Sequence, residues 1–409
     1  MTEHSRPADA VNEQAEALAG LKVLELGSML AGPFTATLLG EFGAEVIKVE
    51  KPGKPDAIRE WPPIKDGHHL WWKSLGRNKR LVTLDISKPE ARDVALKLIA
   101  RADIVVENFR PGTLERWGFG PDVMLERVPH TVWVRVSGWG QNGPYANQGG
   151  YATVAEAASG LSSISGFVDR GPMVSPYPLG DYLAGTFAAL GSMMSLNHVK
   201  ATGQGQVVDV SLFEPFFRTL ENMVLLYDQL GEKKPRLGNQ MQEDVPRNLY
   251  RTADDGWIAI SSGSQAVFGL LADAMERPDL KNDPRFTSAE RRADNRDIID
   301  AIVAGWMLSL PTKVAQSKLE AAKMVSGLVL DVEAIFNDPH YAAREAITTV
   351  IDPDLGELRM PSPIPKLSAT PGRIKWSGRE PGADNDFVYK ELLGIEEEKL
   401  TSLRSANII

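Results

Sequence analysis

The residue best placed for chemistry is Asp181, in the segment Tyr177-Pro-Leu-Gly-Asp-Tyr182. Pro176 and Pro178 keep the preceding backbone extended, and the uncharged, largely apolar run Tyr182 to Leu196 predicts a buried helix. Asp181 therefore stands where a loop becomes a helix. An aspartate there can serve as an N-cap, accepting hydrogen bonds from the first turn. It can also act as a nucleophile if it is ionised by the helix terminus and poorly solvated.

Composition restricts the class of protein. The chain has 409 residues, of which 43% are hydrophobic, enough for two or three domains with a sizeable core. Its net charge of −9 argues against nucleic acid and anionic membranes as partners, so a polyanionic ligand must meet local basic groups. The absence of cysteine excludes disulfides and thiolate chemistry. We expect a cytoplasmic protein with no metal site.

Neither the first residues nor any apolar run of the sequence predicts membrane attachment. Met1 to Ala19 is polar and acidic, unlike a secretory signal, and we interpret it as a mobile leader. The longest uncharged apolar run, Leu183 to Leu196, is shorter than the ~20 residues that a spanning helix needs. We therefore expect no membrane partner.

Alternating strands and helices predict an α/β fold. Predicted strands separated by helical segments are Leu21–Leu26, Ala44–Glu50, Leu81–Asp85, Ile104–Glu107, Val132–Ser137 and Gly203–Ser211. This order favours a Rossmann-like large domain with a mostly parallel sheet. The turn after the first strand lacks GxGxxG, which disfavours a nicotinamide cofactor. The loop from Asn108 to Gly118 follows a buried strand, at the sheet edge where ligands bind. The sequence becomes polar and irregular from Gly231 to Asn248, which indicates a crossing into a smaller α+β domain.

An ordered set of motifs covers nearly the whole chain after the leader. The motifs are Gly20-Leu-Lys-Val-Leu-Glu-Leu26 with Ala31-Gly-Pro33, Phe42-Gly-Ala-Glu-Val-Ile-Lys-Val-Glu50, Gly76-Arg-Asn-Lys-Arg80 with Leu84-Asp85, Val106-Glu-Asn-Phe-Arg-Pro-Gly112, Gly180-Asp181, Gly203-Gln-Gly-Gln206 and Leu355-Gly-Glu-Leu-Arg-Met-Pro361. In this order they resemble the class III CoA-transferase family, which includes formyl-CoA, carnitine and bile-acid CoA-transferases.

The resemblance implies a site. Asp181 falls on the family's catalytic aspartate, which forms an acyl anhydride and then an aspartyl-CoA thioester. Acyl-CoA and a carboxylic acid would be the substrates, with no tightly bound cofactor. Coenzyme A would contact Leu30, Ala31, Lys51, Leu84, Asp85, Ser87, Asn108, Phe109, Arg110 and Arg116. Lys51, Arg110 and Arg116 would meet its phosphates.

The resemblance also implies an architecture. Residues 1–19 would be the leader, 20–229 and 323–409 a discontinuous large domain, and 230–322 the small domain. The family forms interlocked dimers, so we expect a homodimer or a hetero-oligomer with a homologous subunit.

Departures from the family pattern bear on the acyl group. The glycine loop of formyl-CoA transferases is absent, its nearest counterpart being Leu237-Gly-Asn239. Together with the Trp-rich segment from Lys51 to Lys73, this favours a roomier pocket than a one-carbon acid needs. We predict succinyl-CoA as donor and a larger or dicarboxylic acceptor.

Three alternatives stay open at this point. An α-methylacyl-CoA racemase would need a histidine after the glycine-rich turn, where this chain has Gly149-Gly-Tyr-Ala-Thr153. The six histidines lie elsewhere, at His4, His68, His69, His130, His198 and His340. A supporting subunit without activity is the second alternative, although Asp181 is present. The third, a plain nucleotide-binding module, lacks both GxGxxG and GxxxxGK[ST].

Overall fold

Strands are distributed along the whole part of the chain that the computed structural model describes, residues 16–409. They are β1 (Lys22–Glu25), β2 (Glu45–Glu50), β3 (Ile64–Lys65), β4 (His68–His69), β5 (Lys79–Thr83), β6 (Ile104–Glu107), β7 (Val132–Ser137), β8 (Val207–Ser211), β9 (Arg247–Arg251), β10 (Trp257–Ser261), β11 (Ser326–Leu328), β12 (Ile347–Asp352) and β13 (Gly356–Pro361).

The α-helices alternate with these strands in the first half and dominate later. They are α1 (Ala31–Glu41), α2 (Leu70–Leu75), α3 (Arg92–Arg101), α4 (Thr113–Arg116), α5 (Pro121–Arg127), α6 (Ala152–Ala158), α7 (Leu161–Ile164), α8 (Leu179–Thr202), α9 (Glu214–Arg218), α10 (Glu221–Leu230), α11 (Gln265–Ala274), α12 (Ala289–Asp294), α13 (Arg296–Leu308), α14 (Thr312–Ala321), α15 (Val332–Asn337), α16 (Pro339–Ala343) and α17 (Glu397–Ser405). Short 3₁₀ turns are Ala57–Glu60, Pro89–Ala91 and Pro278–Lys281, and Phe387–Leu392 is a π-helix.

The contacts divide the chain into two units. The first comprises residues up to Gly160, Ser175–Glu221 and Ala343–Ile409, and the second comprises Leu161–Val174 and Asn222–Ala342. The second unit is wider than the small domain that the sequence predicted, 230–322. One reason is that β11, beyond residue 322, pairs with β10. Another is that the Gly238 N–H donates to the Gly166 carbonyl at 2.8 Å.

A six-stranded sheet organises the first unit, in the order β5-β2-β1-β6-β7-β8, with every pairing parallel. The apolar residues of β6 and β7 are buried, as expected for strands covered on both faces. One core cluster includes Val105, Trp133 and Tyr389, and another includes Val106, Val134 and Ala184. The predicted fold class, a Rossmann-like α/β domain with a smaller α+β domain, is confirmed.

Helices α1 and α8 pack closely on one face of this sheet. A β-carbon at Gly185 would lie 2.9 Å from the Ala31 carbonyl oxygen and 3.0 Å from the Phe34 ring. The Thr35 hydroxyl also donates to the Gly185 carbonyl at 3.2 Å. Only glycine permits this approach, which places the start of α8 against the start of α1.

The second unit has its own core. Antiparallel strands β9, β10 and β11 form a sheet in the order β11-β10-β9. Helices α11, α13 and α14 bury Phe268, Val303 and Leu319 in one cluster with Ile258 of the sheet. This is the α+β texture predicted for the small domain.

The predicted leader, 1–19, falls mostly outside the described residues, which begin at Glu16. Its last part belongs to the folded chain, because the Leu18 N–H donates to the Phe42 carbonyl at 2.9 Å. Within residues 16–409 no single helix has the length and apolar character to cross a membrane. Only α13 and α14 together, bent by 119°, reach that length and composition.

Candidate active site

The site lies at the carboxyl edge of the large sheet, where the chain order changes direction between β1 and β6. Ligands of doubly wound sheets bind at this crevice. Ser28, after β1, and Asn108, after β6, hold it together. The Ser28 N–H donates to Asn108 Oδ1 at 2.8 Å, and Asn108 Nδ2 donates to the Ser28 carbonyl at 2.7 Å. A β-carbon at Gly27 would lie 2.7 Å from Asn108 Oδ1, so a side chain there would break this contact.

A cavity of about 300 Å³ opens at this edge, which we call the strand-edge cavity. Of the residues predicted to bind coenzyme A, it is lined by Lys51, Leu84, Asp85, Ser87 and Phe109. Lys51 Nζ lies 3.0 Å from Asp85 Oδ2, and half of the Lys51 side chain is exposed. Burial raises the pKa of Asp85, but the Ser87 hydroxyl and Lys51 outweigh it and hold that pKa below its ordinary value. Asp85 is therefore an anion that orients Lys51 towards the cavity.

The other predicted contacts are distributed differently. Asn108, Phe109 and Arg110 line a neighbouring cavity of about 140 Å³ with Gly149 and Tyr151. Arg116 is exposed, donates to the Thr113 hydroxyl at 2.9 Å and lines neither cavity.

Leu30 and Ala31 are each 2% exposed and belong to core clusters, so their side chains face the core. Any contact that these two residues make with a ligand must use the backbone.

Asp181 is the third residue of α8. The helix begins at Leu179, its N-cap is Pro178, and no side chain caps it, so the interpretation of Asp181 as an N-cap is wrong. Asp181 lies one turn before Gly185, on the face that packs against the start of α1. Asp181 lines neither the strand-edge cavity nor the neighbouring one.

Asp181 is unusual in its electrostatics. Burial raises the pKa of its carboxyl to about 6. Within residues 16–409 no hydrogen bond or salt bridge to this carboxylate offsets that effect. We expected the helix terminus to keep Asp181 ionised, but burial is the larger influence. At neutral pH the group is still mostly ionised and poorly solvated, which suits a nucleophile.

An aromatic cavity of about 600 Å³ lies beside the first turn of α8. Its walls include Phe34, Trp71, Tyr177 and Tyr182. Tyr177 stacks on Trp71 and on Tyr182, each with ring centroids 5.6 Å apart. The sequence predicted packing anchors in this Trp-rich segment, and here Trp71 serves as one.

Sequence reasoning missed a buried ionic network behind the β1–α1 turn. Lys48 Nζ lies 2.8 Å from Glu25 Oε1 and 2.9 Å from Asp56 Oδ2, with all three side chains fully or almost fully buried. Asp56 Oδ1 in turn accepts the Met29 N–H at 2.9 Å. Lys48 and Asp56 thereby fix the wall of the strand-edge cavity. The available signal was a lysine in the middle of a strand that the pattern predicts to be buried.

Lys79 completes that network. Its Nζ lies 2.8 Å from Glu25 Oε2 and donates to the Pro33 carbonyl at 2.8 Å. Burial and the neighbouring Lys48 lower the pKa of Lys79 to about 8, against the opposite influence of Glu25.

One cluster of potential metal ligands occurs on the described surface. Ligand atoms of His68, Asp354 and Glu380 lie within 4.8 Å of one another. Lys73 Nζ already pairs with Asp354 at 2.7 Å, so this carboxylate has its cation. We assign no metal to the cluster.

Comparison with known proteins identifies the class. The described fold is α/β, with a crevice at the carboxyl edge of its parallel sheet and a partly buried carboxylate, Asp181, in the first turn of α8. The model of CoA-transferase family III matches residues 18–386, so the chain belongs to that family and is a CoA-transferase. The predicted resemblance is confirmed.

Several relatives are similar over nearly their full length. The chain is 41% identical to a succinyl-CoA--D-citramalate CoA-transferase of Chloroflexus aurantiacus, over 95% of this chain and 97% of that protein. It is 38% identical to the alpha and the beta subunit of a succinyl-CoA--L-malate CoA-transferase of the same organism, over 96% of this chain and 92% and 98% of those subunits. A CAIB/BAIF family protein from Brucella suis matches with a TM-score of 0.81 and 27% identity, covering 93% of this chain and all of that one.

Proposed function

We propose that the enzyme transfers coenzyme A through covalent intermediates on Asp181. The Asp181 carboxylate attacks the thioester carbonyl carbon, the C–S bond breaks, and the CoA thiolate leaves with the electron pair. The thiolate then attacks the Asp181 carbonyl carbon of the anhydride, which releases the donor acid and forms an aspartyl-CoA thioester. The acceptor carboxylate repeats the sequence in reverse and restores Asp181.

The observation that carries this proposal is the Asp181 carboxylate itself. It is partly buried, and nothing in the described chain pairs with it. A buried acid of purely structural use normally has a partner, because an unpaired buried charge destabilises the fold. Asp181 without one is typical of a functional group.

For coenzyme A, we propose that the strand-edge cavity receives the nucleotide part, with Lys51 near a phosphate. Asn108, Phe109 and Arg110 extend the binding surface into the neighbouring cavity. We assign Leu30 and Ala31 backbone contacts only, and Arg116 a contact with an outer phosphate.

The donor and acceptor follow from relatives and cavity size. We propose succinyl-CoA as donor, which the names of the citramalate and malate enzymes support. The aromatic cavity supports an acceptor larger than a one-carbon acid. A panel of CoA donors against mono- and dicarboxylic acids tests this, and activity with acetyl-CoA but not with succinyl-CoA would contradict it.

We also propose an interlocked assembly, homodimeric or with a homologous subunit, in the cytoplasm. The alpha and beta subunits among the relatives support the second form. Apolar Leu190 and Met194 lie exposed on α8, 49% and 62% respectively. Sedimentation showing a stable monomer at micromolar concentration would contradict both forms.

The proposed chemistry is tested with Asp181→Asn, which keeps the shape of the side chain but removes the nucleophilic oxygen. We expect transfer to fall by at least about 10⁴-fold while the protein stays folded. Incubating the native enzyme with an acyl-CoA and then hydroxylamine should modify Asp181, as read by peptide mass. An active Asp181→Asn enzyme, with no adduct on the native one, would leave Asp181 without a chemical role.

A further inference from the structure

Glu156 is a buried carboxylate on α6 that the proposed mechanism does not use. It is 5% exposed. Its two oxygens accept the Ser175 N–H at 2.9 and 3.1 Å. A buried carboxylate needs a donor to offset its lost hydration, and Glu156 finds one in the Ser175 N–H, on the backbone that leads to Asp181.

Ser175 begins the short segment that enters α8. Its hydroxyl accepts the Tyr177 N–H at 3.3 Å, and the Tyr177 carbonyl accepts the Leu179 N–H at 2.7 Å. Tyr177 itself is held between the rings of Trp71 and Tyr182. Glu156 therefore holds one end of a segment whose other end is the first turn of the helix that carries Asp181.

The same helix α6 touches α8 directly. A β-carbon at Gly180 would lie 3.3 Å from Ala152 Cβ and 2.9 Å from the Phe216 ring. Residue 180 is the immediate neighbour of Asp181, so the position of α6 sets the position of the nucleophile. Ala152 is the first residue of α6, and Tyr151 just before it lines the cavity containing Asn108 and Arg110.

We propose that Glu156 is a positioning residue for Asp181, an inference that rests on the proposed function. Through Ser175 it fixes the entry to α8 and thereby the distance between the Asp181 carboxylate and the thioester carbon. A displacement of about 1 Å at the reacting atoms can cost 10²-fold in rate without weakening substrate binding. The mark of such a role is a loss in kcat with little change in KM.

The test compares Glu156→Ala, Glu156→Gln and a matched control, Asp103→Ala. Asp103 also accepts a backbone N–H, from Lys22 at 2.8 Å, but at the amino ends of the strands. We expect Glu156→Ala to lower kcat about 30-fold with KM for acyl-CoA within about twofold. Glu156→Gln keeps an acceptor oxygen and should retain kcat within about threefold. The control should keep both constants.

Ser175→Pro removes the same hydrogen bond from the donor side, and it carries the test if Glu156→Ala fails to fold. It should reproduce the loss in kcat. Native kcat in Glu156→Ala or Ser175→Pro, or equal losses in Glu156→Ala and Glu156→Gln, would overturn the inference. Hydroxylamine labelling of Asp181 in the native enzyme separates the two claims: with the label present these outcomes contradict only the role of Glu156, whereas without it the proposed function itself fails.

Discussion

Two sites of buried charge in the first unit differ in whether the charge has a partner of opposite sign. Lys48 is fully buried between Glu25 and Asp56, at 2.8 and 2.9 Å, and each charge has a partner. Asp181 is partly buried, and within residues 16–409 it has no such partner. The paired network shapes the β1–α1 turn, whereas the unpaired carboxylate is the group that we propose reacts with the substrate. The contrast separates charge used for structure from charge to which we assign the reaction.

Breaking the paired network should have the largest effect on stability. Lys48→Met leaves the buried Asp56 carboxylate without its cation, and Glu25 keeps only Lys79. We expect the free energy of unfolding to fall by about 3 to 5 kcal/mol. Denaturant titration measures this, and the exposed Lys88→Met serves as control. A loss below about 1 kcal/mol would mean that the network contributes no more than a surface pair.

Replacing Asp181, which has no partner among the described residues, should raise the free energy of unfolding instead of lowering it. The folded pKa of Asp181, about 6, exceeds the unfolded value of 3.8, so the ionised form destabilises the fold above pH 6. Asp181→Asn should therefore be more stable than the native enzyme at pH 8, by about 2 to 3 kcal/mol. This gain in stability should shrink as pH falls from 6 towards 4, because the Asp181 carboxyl becomes protonated first in the folded and then in the unfolded protein. Titrations at several pH values check this, and a less stable variant at pH 8 would indicate an unrecognised partner.

The pH dependence of the activity should report the same pKa of Asp181. In the proposed mechanism only ionised Asp181 attacks the thioester, so kcat/KM should fall about tenfold per pH unit below pH 6. The acid limb is measured with a stable thioester over pH 4.5 to 8. An acid limb centred near pH 4 would mean that Asp181 is solvated in the working enzyme.

The smallest expected effect concerns Lys51, a charge that is paired but half exposed. Lys51→Ala should raise KM for acyl-CoA about five- to tenfold, since one phosphate contact near solvent contributes about 1 kcal/mol. A truncated thioester without the nucleotide should show no change. Equal effects on both thioesters would place Lys51 outside the nucleotide site.

The fold was predictable because the strands are local and periodic. Runs such as Ile104-Val-Val-Glu107 gave the buried parallel strands, and their alternation with helices gave the doubly wound class. The pairing of Lys48 with Asp56 was not visible, since it depends on a tertiary contact between a strand and a loop.

The site was predictable only in part. The motifs brought Lys51, Asp85 and Phe109 to one cavity, but they could not show that Leu30 faces the core. Glu156, in an alanine-rich helix, has no local pattern that distinguishes it from a surface glutamate. Its role requires the backbone of a distant loop.

The oxygen atoms of Asp181 can be followed during turnover to test whether this residue is the nucleophile. In the proposed sequence the bridging oxygen of the second anhydride comes from the acceptor acid and stays on Asp181 when the thiolate takes the acceptor acyl group. An acceptor labelled with oxygen-18 should therefore make the peptide that contains Asp181 heavier by about 2 Da for each oxygen exchanged during turnover. Turnover with the labelled acceptor that leaves this peptide unlabelled would contradict Asp181 as the nucleophile.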